Sequence, residues 1–381
     1  MPRSLPRIVR LIDIARQAGV SAITVSKVLH NRNGNNTRVS TATAERVREI
    51  ATRLNYRPNL AARQLAGDRP RLIGGILDAS PNETSLRRLI AMEQLISAHG
   101  YHLLVGYAHD NLTRIMEHIN DFQGRGVDGV ACLAHTYPEF GGKILDALQV
   151  FPNCVLVEKP VKPVNLPYVT LDFVRAGYLI TKHLLSLGRR RIAFLASSRG
   201  YQNVREELAG YRQALDEFGV APIPALDYAQ TGNELWELPG LRRALRHFAP
   251  THPDAVIALN DGAAMRVIRE YWEHGIRVPD DIAVVSMDSW SAGGSCIPGI
   301  TAIDLKAPEI GAAVVRMLLG KIAHPRSGTE EENQLLQPQL VIRESCGARL
   351  PGGKPDAAPV PSPTSQKGGQ NVQTRQARVR M

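Results

Sequence analysis

Apolar side chains recur at helical spacing from the start of the chain. Leu11, Ile14, Ala15 and Ala18 share one face of residues 11–18, the i, i+3, i+4, i+7 signature of an amphipathic helix. Gly19 can take positive φ and end that helix. Val20 is placed to plug the turn, and Ser21 to cap a second helix with Val25, Val28 and Leu29 on one side. After a polar, Asn-rich loop, Ser40 or Thr41 opens a third helix running to about Leu54. Its buried stripe is Ala44, Val47, Ile50, Ala51 and Leu54. Pro58 stops it. Asn59 can cap a stretch from Leu60 to Ala66 that ends at Gly67, about two turns long and marginal as an isolated helix. Asp68-Arg69-Pro70 reads as a linker.

From Leu72 the rhythm changes. Strand-like runs fall at 72–77, 102–107, 129–134, 154–158, 191–196, 255–259 and 282–287. Amphipathic helical stretches such as 86–98, 173–187, 204–218, 261–274 and 308–320 lie between many of them. Strands alternating with helices predict a parallel sheet covered on both faces. The stretch is longer than one sheet needs, so the expected fold is α/β with two doubly wound parallel-sheet subdomains. Ligands of such folds sit at the strand C-terminal ends or in the cleft between subdomains. Residues 351–381 are rich in Pro, Gly, Ser and Gln with few large apolar residues, a composition expected to stay a disordered basic tail.

Composition narrows the classes. The 381 residues are 44% hydrophobic and 22% charged, ordinary for an α/β protein and unlike a mainly disordered chain. Cys132, Cys154, Cys296 and Cys346 form no Cys-x-x-Cys pair. They are read as buried free thiols in a reducing compartment, with neither a disulfide framework nor a metal site expected. No apolar run approaches the roughly 18 residues of a membrane helix. Asp13 and Arg16 interrupt the N-terminal apolar stretch, which argues against a secretory signal.

The charge distribution changes the picture more than its sum. The net charge of +10 divides into +10 for residues 1–71, −4 for 72–350 and +4 for 351–381. A basic head on a mildly acidic body suggests a polyanion partner for the head. In a helix-turn-helix the second helix enters the major groove and its N-terminal residues meet base edges. Here those are Ala22, Ile23, Ser26 and Lys27, with Ser21 and Thr24 able to reach phosphates. Ala22 and Ile23 offer methyl surface suited to thymine, and Lys27 is the long donor for a guanine edge. From composition alone, a three-helix bundle with a solvated basic face fits as well.

The string "LIDIARQAGVSAITVSKVL" followed by "VSTATAERVREIATRLNYRPNLAARQLA" closely resembles the N-terminal domain of the LacI/GalR family of bacterial transcription regulators. The likeness continues to about residue 346 through Asp128-Gly129, His183-Leu184, Arg191-Ile192-Ala193, Asn260-Asp261, Val278-Pro279-Asp280-Asp281-Ile282 and Val341-Ile342-Arg343-Glu344-Ser345. It implies a helix-turn-helix DNA-binding domain over 1–57, a hinge helix and linker over 58–71, and an effector-binding and dimerisation core over 72–350, of the type I periplasmic-binding-protein fold. The DNA-contacting set it implies is Ser21, Ala22, Ile23, Thr24, Ser26, Lys27 and His30 in the head. In the hinge it is Asn59, Ala62 and Leu65, the last matching the leucine that wedges into the minor groove. The loop "HNRNGNNTRVS" is about four residues longer than the family norm and is read as solvent-facing.

The resemblance further implies a cytoplasmic homodimer on a near-palindromic double-stranded DNA operator, commonly a repressor. A small-molecule effector, a sugar or related metabolite, would control it without a cofactor, a metal or a membrane. Matched to the family's pocket are Asp78, Ser80, Phe173, Tyr201, Asn203, Glu207, Trp236, Asn260 and Asp288. Asp172 and Asp261 serve equally well as helix caps, and Trp236 equally well as a core residue.

Two departures stand out. Glu207 occupies the place where the family usually has a ligand-clamping arginine, and the nearest arginine is Arg205 on another helical face. Pro81-Asn82-Glu83-Thr84 replaces the usual aromatic pair before the first core helix. A pocket with Glu207 and Asp288 disfavours an anionic ligand, so the expected effector is neutral or cationic, or the pocket has lost binding. The alternatives are an α/β enzyme and a solute receptor. No G-x-G-x-x-G after the first strand, G-x-x-x-x-G-K-[ST], G-x-S-x-G or H-E-x-x-H supports an enzyme, and the basic head argues against a receptor.

Overall fold

The structure is a computed structural model that describes residues 9–30, 39–58, 64, 67, 69–78, 83–196, 200–224, 227–229, 238–324 and 333–349. Asn59, Ala62, Leu65, Ser80 and Trp236, the loop 31–38 and the tail 351–381 lie outside the described residues. The chain divides into two compact units, Met1–Pro70 and Arg71–Met381.

In the first unit, α1 (Leu11–Ala18), α2 (Ala22–His30) and α3 (Thr41–Arg53) follow the expected pattern. Gly19 sits at φ +69° in the left-handed region, the conformation that reverses the chain after α1. Ser21 caps α2, its Oγ accepting the Thr24 N–H at 3.1 Å. Ser40 caps α3 in the same way through Thr43, at 3.2 Å. Ile14, Val25 and Val47, one from each helix, are fully buried, and Val20 packs against their cluster. Arg53 ties α3 back to α1 by donating to Gln17 Oε1 at 2.8 Å.

The second unit holds two six-stranded sheets. The first consists of β1 (Leu72–Leu77), β2 (His102–Tyr107), β3 (Gly129–Cys132), β4 (Cys154–Val157), β5 (Tyr168–Leu171) and β11 (Gln334–Leu336), in the order β11-β5-β4-β3-β1-β2. The second consists of β6 (Ile192–Ala196), β7 (Asp227–Ala229), β8 (Ala255–Ala258), β9 (Ala283–Ser286), β10 (Thr301–Asp304) and β12 (Gln339–Val341), in the order β12-β10-β9-β8-β6-β7. The recorded pairings are parallel except β10 with β12. Four-residue strands such as β3 and β4 are buried at every position, as parallel strands covered on both faces must be.

Helices α4 (Glu83–Ala98), α5 (Leu112–Arg125), α6 (Gly141–Leu148), α7 (Phe173–Ser186), α8 (Gln202–Glu217), α9 (Leu238–Phe248), α10 (Asp261–Glu273) and α11 (Ala307–Ala323) connect the strands. The chain passes between the sheets three times: along α7, along α11, and between β11 and β12. The expected two-sheet α/β fold is therefore present, but each lobe is assembled from distant pieces of sequence. The seven strand-like runs correspond to β1–β4, β6, β8 and β9. Absent from that reading are β5, β7, β10, β11 and β12. β7, β11 and β12 are only three residues long, too brief to show a period, and β5 and β10, though as long as β3 and β4, are broken by the polar Thr170 and Asp304.

Cys132, Cys154 and Cys346 are buried and Cys296 is half-buried, all as free thiols. Among the described residues, no helix is long and apolar enough to cross a membrane.

Candidate DNA-reading helix and inter-lobe cleft

The reading helix is defined by its own cap. The Ser21 and Thr24 hydroxyls lie 2.9 Å apart and bond to each other, leaving their remaining lone pairs and backbone groups at the helix N-terminus. Ile23 is 70% exposed, while Val25, two positions on, is wholly buried in the head. Ala22, Ser26 and Lys27 are half-buried around it, and His30 is the last residue of α2.

In the core, the cleft is set by a close helix crossing. A Cβ on Gly177 of α7 would lie 2.0 Å from the Glu207 carbonyl oxygen, and one on Gly210 of α8 would lie 1.9 Å from that of Val174. Both positions therefore require glycine. The crossing fixes Asn203, Glu206 and Glu207 of α8 beside Phe173 at the start of α7. A cleft partly open to solvent is lined from one lobe by Thr136, Glu158, Lys159, Thr170 and Phe173. Gln202, Asn203 and Glu206 line it from the other. Glu158 holds φ +76° just after β4, left-handed backbone of the sort that gathers at functional sites.

The charges in and around this cleft are mostly paired. Lys159 Nζ meets Glu206 Oε1 at 2.8 Å. The buried Arg88 of α4 donates to Glu158 at 3.2 Å, while its Nε has no hydrogen-bond partner among the described residues. Glu207 is buried, and desolvation, with Glu158, Asp288 and Glu206 adding repulsion, holds its carboxyl well above the usual range. Burial thus favours its protonated form. Arg205 is exposed and donates to the Gly200 carbonyl, so it does not take over the role expected of an arginine at 207.

Asp288, just past β9, is the group expected to accept ligand hydroxyls, and it is already engaged across the cleft. Thr84 Oγ1 lies 2.6 Å from both of its carboxylate oxygens, and Trp290 Nε1 donates to Oδ2 at 2.9 Å. Burial still pushes the Asp288 carboxyl up to about 6 against these donors. Beside Thr84, Glu83 accepts the Ser291 N–H at 2.7 Å and its hydroxyl at 2.5 Å. Glu83 and Thr84, the described residues of the segment that replaces the expected aromatic pair, thus form a polar latch between the lobes.

The other matched positions divide. Asn260 caps α10 by accepting the Ala263 N–H at 2.9 Å, so its carbonyl oxygen is spoken for. Asp172 caps α7 through Arg175 at 2.8 Å. Asp261 is fully buried and accepts the Trp290 N–H at 2.8 Å; burial first, moderated by that bond, raises it to about 6. Phe173 and Asn203 line the cleft. Tyr201 is half-buried just before α8, and burial first, then the charges of Asp110, Asp78 and Glu139, pushes its phenol up to about 12. Sequence reasoning missed Arg88, Glu158, Lys159, Glu206 and Asp110. A usable signal existed for two of them, since Glu158 and Asp110 are acids at or just past the end of a strand-like run.

A basic three-helix head with an exposed apolar reading position, joined in sequence to a two-lobed parallel-sheet core, defines a class: helix-turn-helix regulators whose core is built like a small-ligand receptor. The sequence signature described as "Bacterial regulatory proteins, lacI family" matches residues 10–59, and that described as "Periplasmic binding protein-like domain" matches 181–346. The HTH-type transcriptional repressor PurR of Haemophilus influenzae is 27% identical over 342 residues, 89% of this chain and 98% of that protein. Catabolite control protein A of Staphylococcus xylosus is 28% identical over 311 residues, 81% of this chain and 91% of that protein. A crystal structure of the lac repressor dimer bound to operator and the anti-inducer ONPF superposes with a TM-score of 0.78 at 25% identity, covering 90% of this chain and all of that one. The chain belongs to the LacI/GalR family of bacterial transcription regulators, and is a DNA-binding regulator rather than an enzyme.

Proposed function

We propose that the protein is a cytoplasmic homodimeric repressor that reads a near-palindromic operator and is controlled by a small polar effector bound between its lobes. The observation that carries the DNA half is Ile23, an apolar residue 70% exposed at the N-terminus of a capped helix in a segment of net charge +10. Base contacts are assigned to Ala22, Ile23, Ser26 and Lys27, with His30 at the far end of the helix, and phosphate contacts to Ser21 and Thr24. Asn59, Ala62 and Leu65 are assigned to the hinge. Exposed apolar residues on the core, Leu86 and Ile90 of α4 and Ile297, 96% exposed, are surface that a second copy would cover.

The effector site is assigned to the cleft of Phe173, Asn203, Glu158 and Glu206, with Asp78, Tyr201, Glu207, Asn260 and Asp288 around it and Ser80 and Trp236 as further contacts. Its acid-rich composition supports a neutral or cationic ligand, a sugar or related metabolite. Binding that changes the angle between lobes is coupled to operator affinity by linkage.

The test is footprinting of genomic DNA followed by gel shifts on the sites found. Protection of a short palindrome is expected, with the steep salt dependence of a basic head. Lys27→Ala or Leu65→Ala should weaken specific binding while effector binding persists. An absence of any protected palindrome overturns the DNA reading. Tight binding of a sugar acid or sugar phosphate in the cleft, followed by calorimetry, overturns the ligand reading.

A further inference from the structure

We propose that Glu83, Thr84, Asp288 and Ser291 form an intramolecular latch by which the core closes on its own side chains, the Thr84 hydroxyl standing on Asp288 where a ligand hydroxyl would. The chain itself then sets a basal operator affinity, which the effector shifts. This rests on the coupling of lobe angle to operator affinity proposed above.

Each half of the latch is built within its own lobe. In the second lobe, Ser286 Oγ donates to the Asp288 carbonyl at 3.0 Å and accepts the Asp288 N–H at 3.2 Å. The Ser289 N–H donates to the Ile303 carbonyl of β10 at 2.8 Å. The Trp290 N–H donates to Asp261 at 2.8 Å, and a Cβ on Gly262 would lie 2.8 Å from the Trp290 ring. In the first lobe, Glu83 and Thr84 are the opening residues of α4. That helix is pressed onto α11, where a Cβ on Gly311 would lie 2.5 Å from the Arg88 carbonyl oxygen, and α11 in turn packs on β3, β4 and β5. Neither platform yields alone, so the bonds between them form and break together as the lobes move. Those bonds are Thr84 to both Asp288 oxygens at 2.6 Å, Ser291 to Glu83 through its N–H at 2.7 Å and its hydroxyl at 2.5 Å, and Arg87 Nη1 to the Ser289 carbonyl at 3.5 Å.

The chemistry suits reversible closure. Thr84 and Asp288 are 4% and 9% exposed, so closing removes both from water. When the lobes part, Asp288 keeps its Trp290 donor, which belongs to the same segment, and water replaces Thr84. The bond is therefore exchanged rather than lost, and its net contribution stays modest. Contacts made only in the closed form bias the equilibrium towards it with or without a ligand. A ligand hydroxyl offered to Asp288 competes with Thr84 for the same oxygens, which gives an effector a direct way to act on the latch.

Hydrogen exchange on the full chain with no added ligand tests this, beside gel shifts on operator sites found by footprinting. Two regions are followed. Residues 286–295 include the Ser291 N–H, itself a latch donor. Residues 156–160 and 201–207 carry Glu158, Lys159, Gln202, Asn203 and Glu206 of the cleft. Glu83→Ala with Thr84→Val should speed exchange in both regions about tenfold and change operator affinity about fivefold or more, in the direction that linkage leaves open. Thr84→Ser keeps the hydroxyl and should behave as wild type. Ser291→Ala, at an exposed position, should give a smaller change of the same sign, and carries the test if circular dichroism shows the double variant unfolded. Exchange that is unchanged, or faster only in 286–295, overturns the latch and leaves the effector cleft standing. Faster exchange in both regions with unaltered operator affinity overturns the coupling, and with it the latch's regulatory role. Thr84→Ser matching Thr84→Val also overturns the latch, since the hydroxyl would then not be the acting group.

Discussion

The head and the core break the usual burial rule in opposite directions. The head exposes Ile23 at the tip of its reading helix, while the core buries Glu207, Asp288, Asp261 and Arg88. An exposed isoleucine costs the folded head little, because unfolding would expose it too, and its surface is gained back only against a partner. A buried carboxyl is costly unless donors reach it. In the head, the exception supports the outward contact with DNA proposed for Ile23. In the core, it marks a network in which each charge depends on neighbours brought from far away in sequence. Variants at the two places should separate folding from function in opposite ways.

The largest effect is expected at the helix crossing that shapes the cleft. Gly210→Ala would set a methyl 1.9 Å from the Val174 carbonyl oxygen, and forcing α7 from α8 should cost about 3 kcal/mol or more in urea denaturation. A cost near zero would show that the crossing is not tight. Next comes the latch. Thr84→Val removes a donor 2.6 Å from both Asp288 oxygens and should cost roughly 2–3 kcal/mol by leaving that carboxyl under-satisfied. Asp288→Asn in the same background should show a coupling term, and simple additivity would mean the two groups do not interact.

The same carboxyls set a pH dependence. Asp288 and Asp261 are both raised by burial to about 6 from an ordinary 3.8, so the folded core holds more protons than the unfolded chain between those values. Stability from these groups is greatest below about 4 and is lost as pH rises from there through 6, by roughly 3 kcal/mol for each if they act independently. Asp281, lowered to about 2 by Arg277, runs the other way and weakens the fold only as pH falls towards 2. Urea melts of wild type and Asp288→Asn at pH 5 and 7 should show a shallower slope in the variant.

In the head, Ile23→Ala should lower operator affinity by about 1–2 kcal/mol with stability changed by no more than about 0.5 kcal/mol. Comparable losses in both would return Ile23 to a packing role. The smallest effect is expected at Glu207→Gln, since burial favours the protonated carboxyl, which an amide resembles. A loss above about 1 kcal/mol would mean that the group is ionised in the folded core.

How much was legible follows the range of the interactions. In the head, nearly every determinant lies within four residues of its partner: Ser21 with Thr24, Ser40 with Thr43, and the left-handed Gly19 closing on Ala15 and Val20. The longer strands and the helices of the core announced themselves by the same local periods. The short strands β5, β10, β11 and β12 did not, because neighbours in the sheet rather than their own residues make them strands. Among the matched site positions, Phe173 and Asn203 line the cleft, and the Asn260 carbonyl oxygen caps α10.

The sequence by itself determined that there is a capped, basic, three-helix head with an apolar reading position, and an alternating α/β core whose acids follow its strands. Only the tertiary structure decided which of those acids meet. Thr84 and Asp288 are 204 positions apart, and Arg88 and Glu158, which pair at 3.2 Å, are 70 apart. Helix periods and caps are set by neighbours a few residues apart. A carboxyl's charge state depends on the dielectric and donors around it, and these exist only once two sheets, linked by three crossings, have brought remote segments together.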